Sequence, residues 1–300
     1  MKEIQFCKES YQFPSERLGQ LRDSNDLLGN TKAIKDRIEE DGYLWFKGLI
    51  DRKAVIAARL KMLQFIAEKG KLAPNTDVME GVFGGNGGAP TMGNPEITHC
   101  EEFKRVFEGP ELFTFFENFF GEPATTFDYK WLRAVGPEQF TGIHCDKVYM
   151  GMGSQDLHTT WVPFGDITPE DGTLALAVGS HRAESFKSLR DGYGETDTDR
   201  DKSQGWYSKS PQELEKKFDA HWHTSEFKMG DVVIFGMNLL HSSTTNTTNR
   251  FRLSADIRFQ PAGHKIDERW VGNEPKAHGF VPSNAGTPKT KEELAEIFAS

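Results

Sequence analysis

In the first third of the chain apolar residues recur at three- and four-residue spacing, whereas beyond about residue 123 they come in short runs and strict alternation. The helical spacing predicts helices from Asn30-Thr31 to about Glu40, from Asp51 to about Lys69, over Glu101–Glu108 and over Pro110–Phe120, the first two opened by capping side chains. Phe113, Phe115, Phe116, Phe119 and Phe120 make the last of these the richest aromatic stretch, suited to packing against a sheet. The later pattern predicts strands at 124–135, 141–149, 157–165, 173–178, 225–235 and 250–259. Many short strands without intervening helices point to a sandwich or barrel, of which the jelly roll is one form.

Two interruptions stand out. Gly81-Val-Phe-Gly-Gly-Asn-Gly-Gly88 is too rich in glycine for regular structure, and reads as a loop, a flap over a site. It is a poor phosphate cradle, because no strand precedes it and no Lys-Ser/Thr comes after it. The polar stretch 182–222 carries Tyr193, Trp206, Tyr207 and a helix at Pro211–Phe218, and reads as a lid on the barrel. The expected organisation is a single domain. Residues 1–122 form a helical part with the glycine-rich loop near 81–95, residues 123–262 a jelly-roll core carrying the insertion, and residues 263–300 a C-terminal extension.

Composition narrows the class. With 37% hydrophobic and 27% charged residues the chain reads as globular and soluble. A net charge of −9 disfavours nucleic acid and anionic membranes as partners. No apolar run is long enough to span a bilayer, and the start, Met-Lys-Glu-Ile-Gln-Phe-Cys, has no hydrophobic targeting segment, so a cytoplasmic location is expected. Cys7, Cys100 and Cys145 are scattered and odd in number, as free thiols in a reducing compartment would be. Oligomeric state is not legible.

The candidate chemistry begins at His144-Cys145-Asp146, an imidazole and a carboxylate two residues apart, which on a strand would share one face while Cys145 points away. A single His-x-Asp among nine histidines is weak evidence. The order of the residues after it strengthens the case. His241 comes after the apolar run Val232-Val233-Ile234-Phe235, and Arg252 stands eleven positions beyond it. Two imidazoles and a carboxylate on one side of an ion form the facial triad of non-haem iron(II) oxygenases. A competing His99-Cys100-Glu101 opens a helical segment and is set aside. From Phe251 to Phe259 the chain alternates strictly, with Arg252, Ser254, Asp256 and Arg258 on one face. If that face lines a barrel, its two guanidinium groups need anionic partners. Asp256 can serve one, and a dicarboxylate ligand the other.

These motifs are similar to those of the phytanoyl-CoA dioxygenase family of iron(II)- and 2-oxoglutarate-dependent oxygenases. The resemblance runs through Asp128-Tyr-Lys-Trp-Leu-Arg133, Gly142-Ile-His-Cys-Asp146, Trp161-Val-Pro-Phe164, Gly172-Thr-Leu174 and Gly179-Ser-His181, then Gly230-Asp-Val-Val-Ile-Phe235, His241-Ser-Ser243 and Arg250-Phe-Arg-Leu-Ser254. It implies a mainly β, cupin-like double-stranded β-helix (jelly roll) with helices packed on its major sheet. It implies iron held by His144, Asp146 and His241, and 2-oxoglutarate held by Arg252 with help from Ser243, Trp161 and Thr173. It also implies O2 as oxidant, ascorbate as an in vitro aid, and hydroxylation, desaturation or ring closure of a small organic substrate, as in secondary metabolism. Asp146 disfavours halogenation, for which related enzymes replace the carboxylate with Gly or Ala.

Tyr129, Trp131 and Arg133 alternate before the triplet and Tyr149 comes just after it, so an aromatic pocket with one cationic anchor is expected, suited to a small acid. Two other readings stay open: a cupin-like metalloenzyme without 2-oxoglutarate, and a non-catalytic ligand-binding module on the same barrel.

Overall fold

The computed structural model describes residues 1–85 and 87–299. In chain order its elements are β1 (Lys2–Phe6), β2 (Glu9–Phe13), β3 (Leu18–Gln20), α1 (Thr31–Asp41), β4 (Tyr43–Phe46) and α2 (Arg52–Glu68). Then come α3 (Pro95–Thr98), α4 (Glu101–Phe107), α5 (Pro110–Phe120), β5 (Ala124–Thr126), β6 (Trp131–Val135), α6 (Lys147–Met150), β7 (His158–Pro163) and β8 (Leu174–Ala177). The last third holds α7 (Lys187–Asp191), α8 (Pro211–Phe218), β9 (Trp222–Thr224), β10 (Val232–Gly236), β11 (His241–Ser243), β12 (Arg252–Pro261) and α9 (Lys291–Ala299).

The expected helices form where their caps place them. Asn30 accepts from the Ala33 N–H and Asp51 from the Lys53 N–H, satisfying amide donors that a helix start leaves open. A larger sheet runs β4-β10-β7-β12-β5, with β6 also on β12, and its pairings are antiparallel. A smaller sheet runs β11-β8-β9-β3. The two face each other as a jelly roll, mainly β with helices on the larger sheet.

Alternation along each strand of the larger sheet divides the molecule into layers. Leu44, Phe46, Val162, Ile234, Leu253, Ile257 and Phe259 point outward and are buried with residues of α2, α4 and α5. Tyr43, Trp45, Trp161, Val233 and Phe235 point inward, against Leu174 and Leu176 of the smaller sheet. The phenylalanines of α5 pack as expected. Phe116 stacks on Phe259 with centroids 4.3 Å apart, and Phe113 meets the same ring edge-on at 5.4 Å.

Four expectations need correction. The N-terminal part is not purely helical: β1 and β2 form a hairpin, and β3 extends the smaller sheet in parallel with β9. Ile4, Phe6, Tyr11 and Phe13 bury their side chains there, a period-two pattern too short to stand out in the sequence. The strand expected at 141–149 is only a pair of bridges, Ile143 to Ser208 and His144 to His241. After them the chain turns, and the Asp146 carbonyl accepts from the Tyr149 and Met150 N–H groups to start α6. The strand expected at 225–235 forms only from Val232 onward, as β10, because Gly230 turns the chain at φ +104, where a Cβ would lie 2.7 Å from the Ile50 carbonyl. The strand at 124–135 is likewise split, and both β5 and β6 pair with β12.

The 182–222 insertion is more than a lid. Phe186, Leu189, Tyr193, Leu214 and Phe218 cover the outer face of the smaller sheet together with the N-terminal hairpin. In the glycine-rich loop, Val82 and Phe83 bridge to Arg250 and Leu72, which ties that part down rather than leaving it a free flap. Asn86 lies outside the described residues. Phe116→Ala should lower stability by about 3–5 kcal/mol in urea unfolding. Metal binding should be retained, since Phe116 packs on the face of β12 opposite Arg252 and Arg258.

Candidate metal centre and adjoining cavities

His144 and His241 are each other's strand partners. The His144 N–H donates to the His241 carbonyl at 3.0 Å and the His241 N–H returns the bond at 2.8 Å. The ring centroids consequently lie 4.1 Å apart. In each ring Nδ1 bonds the carbonyl two residues earlier, Gly142 for His144 at 2.8 Å and Leu239 for His241 at 3.0 Å. A carbonyl only accepts, so Nδ1 carries the proton and Nε2 keeps its lone pair. Both Nε2 atoms face Asp146 Oδ1, at 3.9 Å from His144 and 3.8 Å from His241. The three side chains are buried, and their ligand atoms lie within 4.8 Å of one another. Among the described residues this is the one cluster of His, Cys, Asp and Glu able to hold a metal.

The other carboxylate oxygen is spoken for. Asp146 Oδ2 accepts from the Thr159 hydroxyl and faces Arg258 Nη2 at 3.3 Å. Arg258 is itself held, with its guanidinium over the Trp131 ring at 4.6 Å and its Nε on Met150 Sδ at 3.1 Å. Burial alone would raise the Asp146 carboxyl, but the Arg258 guanidinium, with the Thr159 hydroxyl, outweighs it and holds the group below the usual carboxylate range. Burial and then the neighbouring His241 push His144 down to about 3. Burial also lowers His241, against the pull of Asp146. The site thus presents two neutral imidazoles and one anion, the protonation state that metal binding requires. Cys145 turns away into the apolar cluster with Ile143 and Val148, where burial drives its thiol up to about 12.

An inner cavity of about 20 Å³ adjoins the triad, and Trp161, Ser243 and Arg252 are among its walls. Arg252 is 4% exposed. It donates to Ser254 Oγ, while its Nε has no partner. Burial, then the nearby Arg133, lowers it to about 10, so it stays charged at neutral pH. Asp256, expected to serve one of the two strand arginines, instead pairs with Arg133, Nε to Oδ2 at 2.6 Å, while Asp146 serves Arg258. Arg252 is the guanidinium left over. Ser243 Oγ accepts from the Thr141 N–H at 2.8 Å. Thr173 does not reach the cavity, for its hydroxyl lies between those of Thr224 and Thr244.

A second, outer cavity of about 150 Å³ shares Arg133, Thr141 and His144 with the first and also meets Asp146, and Trp131, Arg133 and Tyr149 line it as expected. Tyr129 does not; it stands behind Trp131 and Trp270, at 4.7 and 5.3 Å between centroids. Trp206, in the stretch read as a lid, is on these walls too, whereas Met92 and His278 were not anticipated from the sequence. Trp206 comes from the insertion and lies over Gly142, where a Cβ would sit 2.4 Å from the indole. That glycine, two residues before His144, was the available signal. A larger groove of about 590 Å³ lies beside Arg59 and Arg250 and contains none of the three metal-binding side chains.

The family model for phytanoyl-CoA dioxygenase (PhyH) matches residues 38–254, which include all three triad residues and Arg252. The chain belongs to the PhyH family. It is 26% identical over 285 residues to 1-deoxypentalenic acid 11-beta-hydroxylase of Streptomyces arenae, covering 90% of this chain and 97% of that one. The Streptomyces exfoliatus enzyme of the same name is 25% identical over 293 residues, covering 93% and 100%. Among solved structures, EctD from S. alaskensis with 2-oxoglutarate and 5-hydroxyectoine superposes with a TM-score of 0.57 at 16% identity, covering 92% of this chain and 90% of that one. The epimerase SnoN from nogalamycin biosynthesis, in complex with Fe3+, alpha ketoglutarate and nogalamycin RO, gives 0.54 at 18% identity, covering 88% and 96%. These likenesses show the double-stranded β-helix fold.

Thr159→Val removes the hydroxyl that orients Asp146. Iron(II) binding should weaken by about 10–100-fold in a metal titration; unchanged affinity would mean that Arg258 alone sets the carboxylate.

Proposed function

We propose that this PhyH-family protein is an iron(II)- and 2-oxoglutarate-dependent oxygenase that hydroxylates, desaturates or cyclises a small organic substrate. His144, Asp146 and His241 hold the metal, and their N,N,O donor set suits iron(II). The observation that carries the cosubstrate is Arg252, a buried cation with an unpartnered Nε on the wall of the cavity next to the triad. A buried charge without a partner is strongly unfavourable, and a carboxylate in bidentate contact would satisfy it. A cupin-like enzyme that uses no 2-oxoglutarate, or a simple binding module, has no need of that guanidinium.

Iron held by His144, Asp146 and His241, with 2-oxoglutarate held by Arg252, would supply an oxidant made from O2, at the expense of 2-oxoglutarate's conversion to succinate and CO2. The chain's own part is positional. Thr159 and Arg258 keep Asp146 Oδ1 turned to the metal. The Gly142 and Leu239 carbonyls fix both imidazoles by their Nδ1–H groups. Ser243 and Trp161 border the cosubstrate, and Trp131, Tyr149 and Trp206 enclose the target and keep water away. Asp146 fills the coordination position that a halide would need, which favours oxygen insertion over halogenation.

The relatives' names, hydroxylases of 1-deoxypentalenic acid, point to an organic acid as the substrate class, in keeping with an aromatic pocket that includes Arg133. Among the described residues no helix is long and apolar enough to cross a membrane.

Succinate formation with iron(II), 2-oxoglutarate, O2 and ascorbate tests the reading. Asp146→Ala and His241→Ala should each abolish iron binding and turnover, and full activity in either means that the ligands are misassigned. Arg252→Ala should raise the KM for 2-oxoglutarate by about a hundredfold or more with iron affinity unchanged. If 2-oxoglutarate is neither bound nor consumed, the reading is lost.

A further inference from the structure

Arg133 stands on β6 opposite Ser254 of β12, and Asp256 is its diagonal neighbour there, so the three side chains share the inward face. Asp256 Oδ2 accepts from Arg133 Nε at 2.6 Å, and among the described residues that is the guanidinium's one hydrogen bond. Both Nη groups keep their N–H donors. The Arg133 side chain is 24% exposed, and it lines the inner and the outer cavity alike. Asp256 thus fixes the planar fork through Nε and leaves the Nη edge open to a ligand.

Tyr149 reaches the same outer cavity from α6. The turn at Asp146 places it, because the Tyr149 N–H donates to the Asp146 carbonyl at 3.0 Å. Its ring stands edge-on to His144, with centroids 5.5 Å apart, and to His278 at 5.9 Å. Its hydroxyl lies against Gly205, where a Cβ would collide with it. Packing therefore fixes that oxygen, yet among the described residues no protein group bonds it. Burial raises the hydroxyl's pKa and Arg133 opposes part of the rise, so the oxygen feels the guanidinium nearby and keeps its proton at neutral pH. It is a donor in search of an acceptor.

Charge decides what these donors meet. On the walls of the two cavities, among the described residues, three guanidinium groups (Arg133, Arg252, Arg258) face two carboxylates (Asp146, Asp256). A divalent ion and a dianionic cosubstrate cancel each other and leave one positive charge over. A monoanionic substrate would neutralise it, and in low dielectric that complementarity is strong. The cosubstrate does not take the place of that substrate. Arg252 and the metal suffice for its two ends, and Tyr149 lines the outer cavity but not the inner one that Arg252 borders.

We infer that Arg133 and Tyr149 together bind a carboxylate of the substrate in the outer cavity, the first through its Nη groups and the second through its hydroxyl. This rests on the oxygenase reading above and gives the substrate's charge a place. Asp256 is the positioning residue that holds the fork. The chemical class is a monocarboxylic acid with an apolar body, which lies against Trp131 and Trp206 on the same walls.

The test uses the full chain, loaded anaerobically with iron(II) and 2-oxoglutarate. 1-Deoxypentalenic acid and smaller monocarboxylic acids are each titrated beside their methyl esters. The reading is the ligand-induced change in the visible absorption of the iron–2-oxoglutarate complex. Wild-type protein should take an acid at about a hundredfold lower concentration than its ester, as two hydrogen bonds to a charged group would give. Tyr149→Phe, which removes one oxygen and no protein contact, should cut that preference about tenfold. Arg133→Gln combined with Asp256→Asn, which leaves no unpaired buried carboxylate, should abolish it while affinity for 2-oxoglutarate stays within about threefold. A preference unchanged in Tyr149→Phe, a tenfold or larger loss of 2-oxoglutarate affinity in the double variant, or a wild-type protein that takes no acid ahead of its ester overturns the inference. Absence of the iron–2-oxoglutarate absorption in wild type sinks the oxygenase reading instead, so the two failures are distinct.

Discussion

The pair of backbone hydrogen bonds between His144 and His241 is the constraint on which the rest depends. It joins the segment after β6 to β11 at the mouth of the barrel. Because the paired residues are themselves two of the three proposed ligands, closing the barrel and assembling the metal centre are one event. The turn at Asp146 then brings the carboxylate to the same point. A site built this way needs no adjustment of long side chains: each ring is short, buried and fixed through Nδ1 to its own segment.

Electrostatics explains why the inward face of β12 is so polar. Its residues are all buried, yet Arg252, Asp256 and Arg258 sit among them. Two of the cavity's arginines are matched inside the protein, Arg133 by Asp256 and Arg258 by Asp146. The third is not. An apolar residue at 252 would relieve the desolvation of that guanidinium without disturbing the helix-facing side of the strand, where Phe251 and Leu253 pack. A lone buried cation beside a metal-binding triad is intelligible as half of an ion pair whose other half arrives with the ligand.

The legible parts of the sequence are those governed by local rules. Asn30 and Asp51 cap where they stand because capping needs only the next few residues. The alternation of 251–259 survives because a strand's faces are set by its period. The triad is readable from residue type and order, but not for the reason its spacing suggests: His144 ends a bridge and Asp146 starts a turn, so they do not share a strand face. Tyr129 falls outside the pocket because the chain turns before β6, and Thr173 because its hydroxyl is taken by other threonines. His278 is invisible for a different reason. Its place depends on Asp197, Asp199 and Arg269, residues far apart in sequence whose meeting no local pattern announces.

That distinction bears on how such a barrel acquires specificity. The candidate metal ligands and Arg252 lie on or beside strands and within the family match, and on β12 a shift of register would break pairing on both sides. Trp206 and His278, on the outer cavity's wall, lie on irregular segments, the first tied to Ile143 by a backbone bridge through Ser208 and the second bonded to Asp199. Irregular segments tolerate exchange because little sheet pairing depends on them. The candidate metal centre is thus set by the strands, whereas part of the outer cavity's wall comes from irregular segments. In this chain those segments reach the outer cavity through the His278 imidazole and the Trp206 indole. Neither belongs to a strand of the barrel, but Trp206 lies over Gly142, whose carbonyl holds His144 Nδ1, so a change there reaches the candidate metal centre.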